Sequence, residues 1–167
     1  MGATSRKRDA LGQRSVEPLN SRAARAAALD ALARRDLPSA DLRRKLLEKG
    51  YDSGVVAPLI EALRAEKLVD DERYVENFVA YHAARGQGPA RVRLGLRQKG
   101  LVGELVEHCL AAYPDWMLHL REVQRKKFGA AQPSNYSEKH RQARFLSYRG
   151  FTSAQIRSAL GFDVEAD

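Results

Sequence analysis

Apolar residues recur along the chain with helical spacing from Ser21 onward. Pairs four residues apart, such as Val56 with Ile60 and Val106 with Leu110, fall on one side of a helix. The strict alternation of apolar and polar positions that marks a half-buried β-strand is absent. The pattern therefore predicts an all-α protein with nine helices and no strand. Residues 1–20 lack apolar periodicity, and we interpret them as a flexible basic arm.

Capping residues indicate where the helices begin. A first helix starting at Ser21 is followed by a second, for which Ser39 is the expected N-cap. The acids at residues 70–72 suit the N-terminus of the fourth helix, where negative charge is favourable. Pro89 suits the first position of the fifth helix, since proline lacks an amide hydrogen that would go unpaired there. Thr152 begins a possible capping box for the last helix.

A repeat of fifty residues underlies this arrangement. Gly50, Gly100 and Gly150 share one layout: a leucine four residues before, a base immediately before, and an apolar residue immediately after. A glycine after a helix-terminal cation is typical of a helix C-cap. Each copy therefore predicts a helix, a capping glycine, and a second helix packed back on the first. Further apolar columns agree across the copies: Val56, Val106 and Ile156, then Ile60, Leu110 and Leu160.

With the preceding helix included, each copy becomes a three-helix unit. A unit this small struggles to bury enough surface alone, so we expect the repeats to stack on their neighbours. The predicted organisation is an N-terminal arm, three tandem three-helix repeats and a C-terminal tail. Their limits are residues 1–20, 21–69, 70–114, 115–162 and 163–167.

Charge adds a functional hint. The chain has 167 residues, a formal net charge of +8 and a pI near 9.9, which favours anionic partners such as nucleic acid or a nucleoprotein. The second repeat is neutral overall, yet its middle helix is rich in bases, and so are the equivalent helices of the other repeats. The candidate partner-binding residues are Arg43, Arg44, Lys45, Lys49, Arg91, Arg93, Arg97, Lys99, Lys139, Arg141, Arg144 and Arg149.

Neighbouring like charges on a helix cost a few tenths of a kcal/mol, which hints at an anionic partner for these bases. The alternative is a solvated face whose charges are paired with acids from a neighbouring helix, and the sequence leaves this open. Gly95 lies in the middle of a predicted helix, where close packing, partner approach or simple tolerance could each explain it. Seven aromatic residues could stack on nucleic-acid bases, but at helical spacing we expect them to be core: Tyr51, Tyr74, Phe78, Trp116, Phe128, Phe145 and Phe151.

Several classes of function are disfavoured. No apolar stretch reaches the roughly 20 residues that span a bilayer. Residues 1–20 lack the apolar core of a signal peptide, so we do not expect secretion by that route. A lone Cys109 cannot form an internal disulfide, and the dispersed histidines have no metal-ligand spacing. We therefore expect a cytoplasmic, monomeric protein without cofactor, metal or catalytic residues. We expect Cys109 itself to be a small buried apolar residue.

Three motifs resemble those of the RecX family of bacterial recombination regulators. The first is Asp-Glu-Arg-Tyr-Val-x-x-Phe over residues 71–78. The second is Gly-Gln-Gly-Pro-Ala-Arg-Val-Arg over residues 86–93, followed by Leu-x-x-Lys-Gly at residues 96–100. The third is Ser-Glu-Lys at residues 137–139, followed by Arg-Phe-Leu-x-Tyr-Arg-Gly-Phe at residues 144–151. The similarity covers residues 23–162 in the family's order.

This resemblance implies an elongated, curved array of three-helix repeats. It also implies a non-enzymatic protein that binds the RecA recombinase filament in its helical groove. There it would inhibit ATP hydrolysis, strand exchange and coprotease activity, and so modulate recombinational repair and the SOS response.

A direct DNA-binding regulator is the alternative, because three-helix units resemble helix-turn-helix folds. The basic helices contain no asparagine and few glutamines to read base edges, namely Gln98 and Gln142. Weak and nonspecific binding to single- or double-stranded DNA remains open, and it would fall steeply with salt.

Overall fold

A computed structural model describes residues 6–161, with side chains described from Asn20 onward. These residues form nine α-helices and no β-strand, as the apolar spacing predicts. No helix among them is long and apolar enough to cross a membrane. The helices are α1 (Arg6–Arg34), α2 (Ser39–Glu48), α3 (Ser53–Ala65), α4 (Asp71–Ala84), α5 (Pro89–Gln98), α6 (Glu104–Ala112), α7 (Trp116–Phe128), α8 (Tyr136–Tyr148) and α9 (Ser153–Leu160).

The three capping glycines end α2, α5 and α8 in the same way. Gly50, Gly100 and Gly150 have φ angles of 88°, 78° and 91°, in the left-handed region that suits glycine. The residue after each glycine donates its amide hydrogen to the carbonyl of the leucine five residues earlier, at 3.0–3.2 Å. The glycine amide itself donates to the carbonyl three residues earlier. This pair of hydrogen bonds is the Schellman motif, and in each repeat it directs the chain into the following helix.

The apolar columns of the repeat form the core. The residues at both predicted columns of α3, α6 and α9 are at most 5% exposed, as are the leucines that precede the capping glycines. In the first repeat, α1, α2 and α3 pack pairwise. Ala24 and Ala28 of α1 are fully buried there, because small side chains allow helices to approach closely. Cys109 is 6% exposed, which confirms that it is a core residue.

The first helix is longer than the sequence pattern predicts. It begins at Arg6, so the predicted start at Ser21 is wrong and no break separates residues 6–20 from the first repeat. Once a packed segment has formed, each further helical residue adds a hydrogen bond without a new nucleation cost, so a helix can extend without an apolar stripe. Residues 1–5 of the predicted arm and the predicted tail at residues 163–167 lie outside the described residues.

The N-terminus of α2 also differs from the prediction. Ser39 is the first helical residue and not the N-cap, a position taken by Pro38 with an extended backbone. The Ser39 amide and hydroxyl instead donate to the two carboxylate oxygens of Asp71, at 2.7 and 2.6 Å. The cap of α2 therefore comes from a residue far along the chain. Asp70 caps α4 by accepting from the Arg73 amide at 3.0 Å.

The chain divides into two compact units, one ending at Tyr74 and the other beginning at Val75. The second unit holds α5 and α6, which pack on each other, and α7, α8 and α9, which pack pairwise. Its core contains one buried polar pair, in which the Gln124 side-chain amide donates to the Gln142 oxygen at 2.8 Å. Gln142 occupies the repeat position held by Leu42 and Val92, so the third repeat departs from an apolar core there.

Close packing explains the glycine in the middle of α5. A Cβ atom on Gly95 would lie 2.9 Å from the tip of the Phe78 ring on α4. The glycine therefore makes room for an aromatic side chain of the preceding helix. Of the aromatic residues expected in the core, Trp116 and Phe151 are buried and the others are half-buried.

Candidate partner-binding surface

The predicted bases lie on the outer faces of α2, α5 and α8. The leucine of each helix that precedes the capping glycine is at most 1% exposed, whereas the bases are exposed or half-buried. The exposed ones are Arg43, Arg44, Lys49, Arg93, Arg97, Arg141 and Arg144; the half-buried ones are Lys45, Arg91, Lys99, Lys139 and Arg149. The bases fall into subsets with different surroundings.

One subset is paired with acids. Arg93 of α5 makes a bidentate contact with Glu107 of α6, at 2.6 and 2.7 Å. The hydrogen bond from this guanidinium lowers the pKa of Glu107, and the same bond raises the pKa of Arg93. Arg44 contacts the buried carboxylate of Asp41 at 2.6 Å and lies 3.6 Å from that of Glu48. For Arg93 and Arg44, acids of the protein itself therefore balance the positive charge.

A second subset lies over aromatic rings. The guanidinium of Arg91 is 4.5 Å from the centre of the Tyr148 ring. Those of Arg141 and Arg149 lie 5.5 and 5.4 Å from the rings of Phe128 and Phe145. Such contacts restrict the side chain but leave its positive charge uncompensated. These arginines present an oriented charge to solvent or to a partner.

The third subset consists of bases whose charge is not paired with an acid among the described residues. Arg43, Lys45, Lys49, Arg97 and Arg144 form no ion pair within the part of the chain that the structure describes. Arg97 follows Arg93 by one turn of α5. The two side chains are of the same type, but in the described part of the chain Arg93 forms an ion pair and Arg97 does not. The sequence could not distinguish them, because the acid that pairs with Arg93 belongs to the next helix.

The Gly-Pro-Ala-Arg segment forms a junction between the second and third repeats. The amide of Gly88, at the start of α5, donates to the Arg149 carbonyl at 2.8 Å, and that of Ala90 donates to the Gly150 carbonyl at 3.0 Å. A Cβ atom on Gly88 would lie 2.3 Å from the backbone of Gly150. Only glycine allows this approach. The junction places Arg91 beside the end of α8.

A basic cleft in the second unit was not predicted from the sequence. Arg85, Arg125, Lys126 and Arg149 line an open cavity of about 860 Å³, together with Glu122 and His119. Arg149 is the only one of the four bases that the repeat pattern singled out. The run of bases at residues 125–127 was the available signal, but nothing local indicates that Arg85 lies opposite it.

Known proteins are similar to this chain in sequence and in fold. Three models of the RecX family, described as its first, second and third three-helix domains, match residues 24–63, 70–110 and 119–160. The regulatory protein RecX of Halorhodospira halophila is 43% identical over 148 residues, which cover 88% of this chain and 92% of that protein. Its counterpart in Pseudomonas entomophila is 37% identical over 135 residues, covering 80% and 87%. The crystal structure of RecX from Lactobacillus salivarius has the same fold, with a TM-score of 0.77, 19% identity, and coverage of 85% of this chain and 95% of that one.

Proposed function

The chain belongs to the RecX family of regulatory proteins, and from this premise we propose that it binds the RecA–DNA filament. Binding would inhibit ATP hydrolysis, strand exchange and coprotease activity by RecA, without catalysis by the regulator itself. The observation that supports this proposal is the recurrence of a base-bearing helix in all three repeats, each ended by the same glycine turn. A filament offers a repeating anionic surface, and a repeated set of cations suits it.

The second candidate, a sequence-specific DNA-binding regulator, has less support. A recognition helix needs exposed side chains that can form paired hydrogen bonds with base edges. Gln142 is only 4% exposed and its oxygen accepts a bond from Gln124, so it cannot serve as a base reader. Gln98 of α5 is exposed, but it is the only glutamine or asparagine on the three basic helices that is.

The decisive experiment is a titration of the full chain into a RecA ATPase assay driven by single-stranded DNA. We expect ATP hydrolysis to slow at amounts well below one regulator per RecA monomer. An unaffected rate at an equal molar ratio would rule the proposal out.

Two matched variants locate the contact. Both arginines lie on α5: Arg97→Gln removes a cation without an ion pair, whereas Arg93→Gln removes one already balanced by Glu107 of α6. We expect Arg97→Gln to weaken inhibition more, with both variants retaining native helix content by circular dichroism. Equal inhibition by both variants and the native protein would move the RecA contact away from α5.

A further inference from the structure

The basic cleft combines cations from three separate elements. The turn after α4 supplies Arg85, the last turn of α7 supplies Arg125 and Lys126, and the end of α8 supplies Arg149. Gly86 fixes the turn: its φ is +75°, and a Cβ atom there would lie 2.8 Å from a Val123 methyl on α7. The close approach holds Arg85 beside α7, so the cleft is part of the packed fold.

The charge of the cleft is not balanced by its surroundings. None of its four bases forms an ion pair among the described residues. The acid in the lining, Glu122, lies 3.2 Å from the Nδ1 atom of His119, whose Nε2 atom is 2.9 Å from the Tyr113 hydroxyl. Glu122 is thus held by a neighbour that is not one of the four bases.

Helix ends offer a competing explanation, because cations are favourable near a helix C-terminus. Three helices, α4, α7 and α8, end at the cleft. Each end carries roughly −0.5 of an elementary charge, so together they offset about 1.5 positive charges of the four. At the end of α8 the negative charge is smaller still, because the amides of Gly88 and Ala90 already donate hydrogen bonds to the carbonyls of Arg149 and Gly150. With Glu122 counted, a surplus of about one to two positive charges remains for a ligand.

An exposed aromatic ring adjoins the cleft. The Tyr81 side chain is 56% exposed, and the Arg85 guanidinium lies 4.5 Å from the centre of its ring. A positively charged groove beside an aromatic surface is the arrangement that binds single strands, since the cations contact phosphates and the ring stacks on a base. We propose that the basic cleft binds the backbone of single-stranded nucleic acid, with Tyr81 stacking on one base.

This proposal concerns the chain alone and does not depend on RecA. It can be tested by fluorescence anisotropy, with the full-length protein and a short fluorescein-labelled oligothymidine. The cleft variant is Arg125→Glu with Lys126→Glu. Its control is Arg121→Glu with Lys127→Glu, which makes the same charge change on the same helix at exposed positions outside the cleft. Circular dichroism checks that both variants fold.

We expect the cleft variant to bind about tenfold or more weakly, and the control to stay closer to the native affinity. Log affinity falls as log salt concentration rises. Replacing Arg125 and Lys126 by glutamine should make this dependence less steep by about 1.4, or about 0.7 for each lost phosphate contact. Equal weakening by the cleft variant and its control would mean diffuse charge attraction and would overturn the proposal. So would the absence of oligonucleotide binding by the native protein.

The stacking part has its own test. Tyr81→Ala should weaken binding by about fivefold or more, whereas Tyr136→Ala, another exposed tyrosine, should not. The native protein should prefer the oligothymidine to a duplex of the same length. A preference for the duplex, or equal effects of the two tyrosine substitutions, would contradict single-strand binding.

Discussion

The Asp71 carboxylate, on the first turn of α4, caps α2 by accepting hydrogen bonds from both the amide and the hydroxyl of Ser39. The two residues are 32 positions apart in the chain. This contact ties the start of the second repeat to the first. The neighbouring acids therefore cap different helices: Asp71 caps α2, whereas Asp70 caps α4.

We expect Asp71→Ala to destabilise the protein by about 1–2 kcal/mol, because it removes a charged cap from a helix end. Glu72→Ala is the control, since Glu72 is exposed on the same turn. Urea unfolding followed by circular dichroism measures both. If the two substitutions cost the same, the cap on α2 contributes nothing specific.

The buried Gln124–Gln142 pair predicts strong coupling between two positions. Gln142→Leu alone leaves the Gln124 amide buried without its acceptor, which should cost about 1–3 kcal/mol. The double change to leucine should cost less than either single change, because it leaves no buried amide without a partner, and because Leu42 and Val92 already fill the position of Gln142 in the other repeats. A double-mutant cycle on the free energy of unfolding gives the coupling, and simple additivity would contradict it.

The Arg93–Glu107 ion pair predicts a pH-dependent effect. The pKa of Glu107 is lowered in the folded state by the hydrogen bond from Arg93, so the pair stabilises the fold above the unfolded pKa of glutamate. That stabilisation is lost as the pH falls through the folded value. Because both side chains are about half exposed, we expect Arg93→Gln to cost only about 0.5 kcal/mol at neutral pH.

The difference between the native protein and Arg93→Gln should shrink toward zero as the pH falls below the lowered folded-state pKa of Glu107, where its carboxyl group is protonated in both states. Thermal unfolding at a series of pH values checks this. A difference that stays constant down to that pH would mean that Arg93 acts through packing of its stem instead.

At the junction between repeats, Gly88→Ala should be costly. The added methyl group would lie 2.3 Å from the Gly150 backbone, which cannot move as a side chain could. We expect a loss of about 2 kcal/mol or more in the free energy of unfolding. Gly54→Ala is the matched control, because its Cβ atom would meet only the Asp52 carboxylate, at 2.9 Å. Equal losses would show that the junction can part without cost.

Local features were predictable from the sequence, and contacts between distant elements were not. The turns at Gly50, Gly100 and Gly150 could be predicted because their hydrogen bonds join residues at most five apart. Ser39 was wrongly predicted to be the N-cap of α2, because the carboxylate that accepts its hydrogen bonds belongs to Asp71, which is distant in sequence. Gly95 remained ambiguous until the position of Phe78 showed what fills the space beside it.

Prediction of the candidate site from the sequence was limited in the same way. The repeat identified which helices carry bases, but an arginine's sequence position does not reveal what surrounds it. Arg93 meets an acid, Arg91 lies over a ring, and Arg97 has no ion pair, although all three are on α5. The basic cleft was missed for the related reason that Arg85 and the end of α7 meet only in three dimensions.

The junction between α5 and α8 also contains its own spectroscopic reporters. The first amides of a helix have no partner within that helix. Those of Gly88 and Ala90 are bonded only to carbonyls at the end of α8. Any protection of these two amides from exchange with solvent deuterium therefore comes from contact between the second and third repeats. Their exchange rates measure the free energy of separating the two repeats while each stays folded.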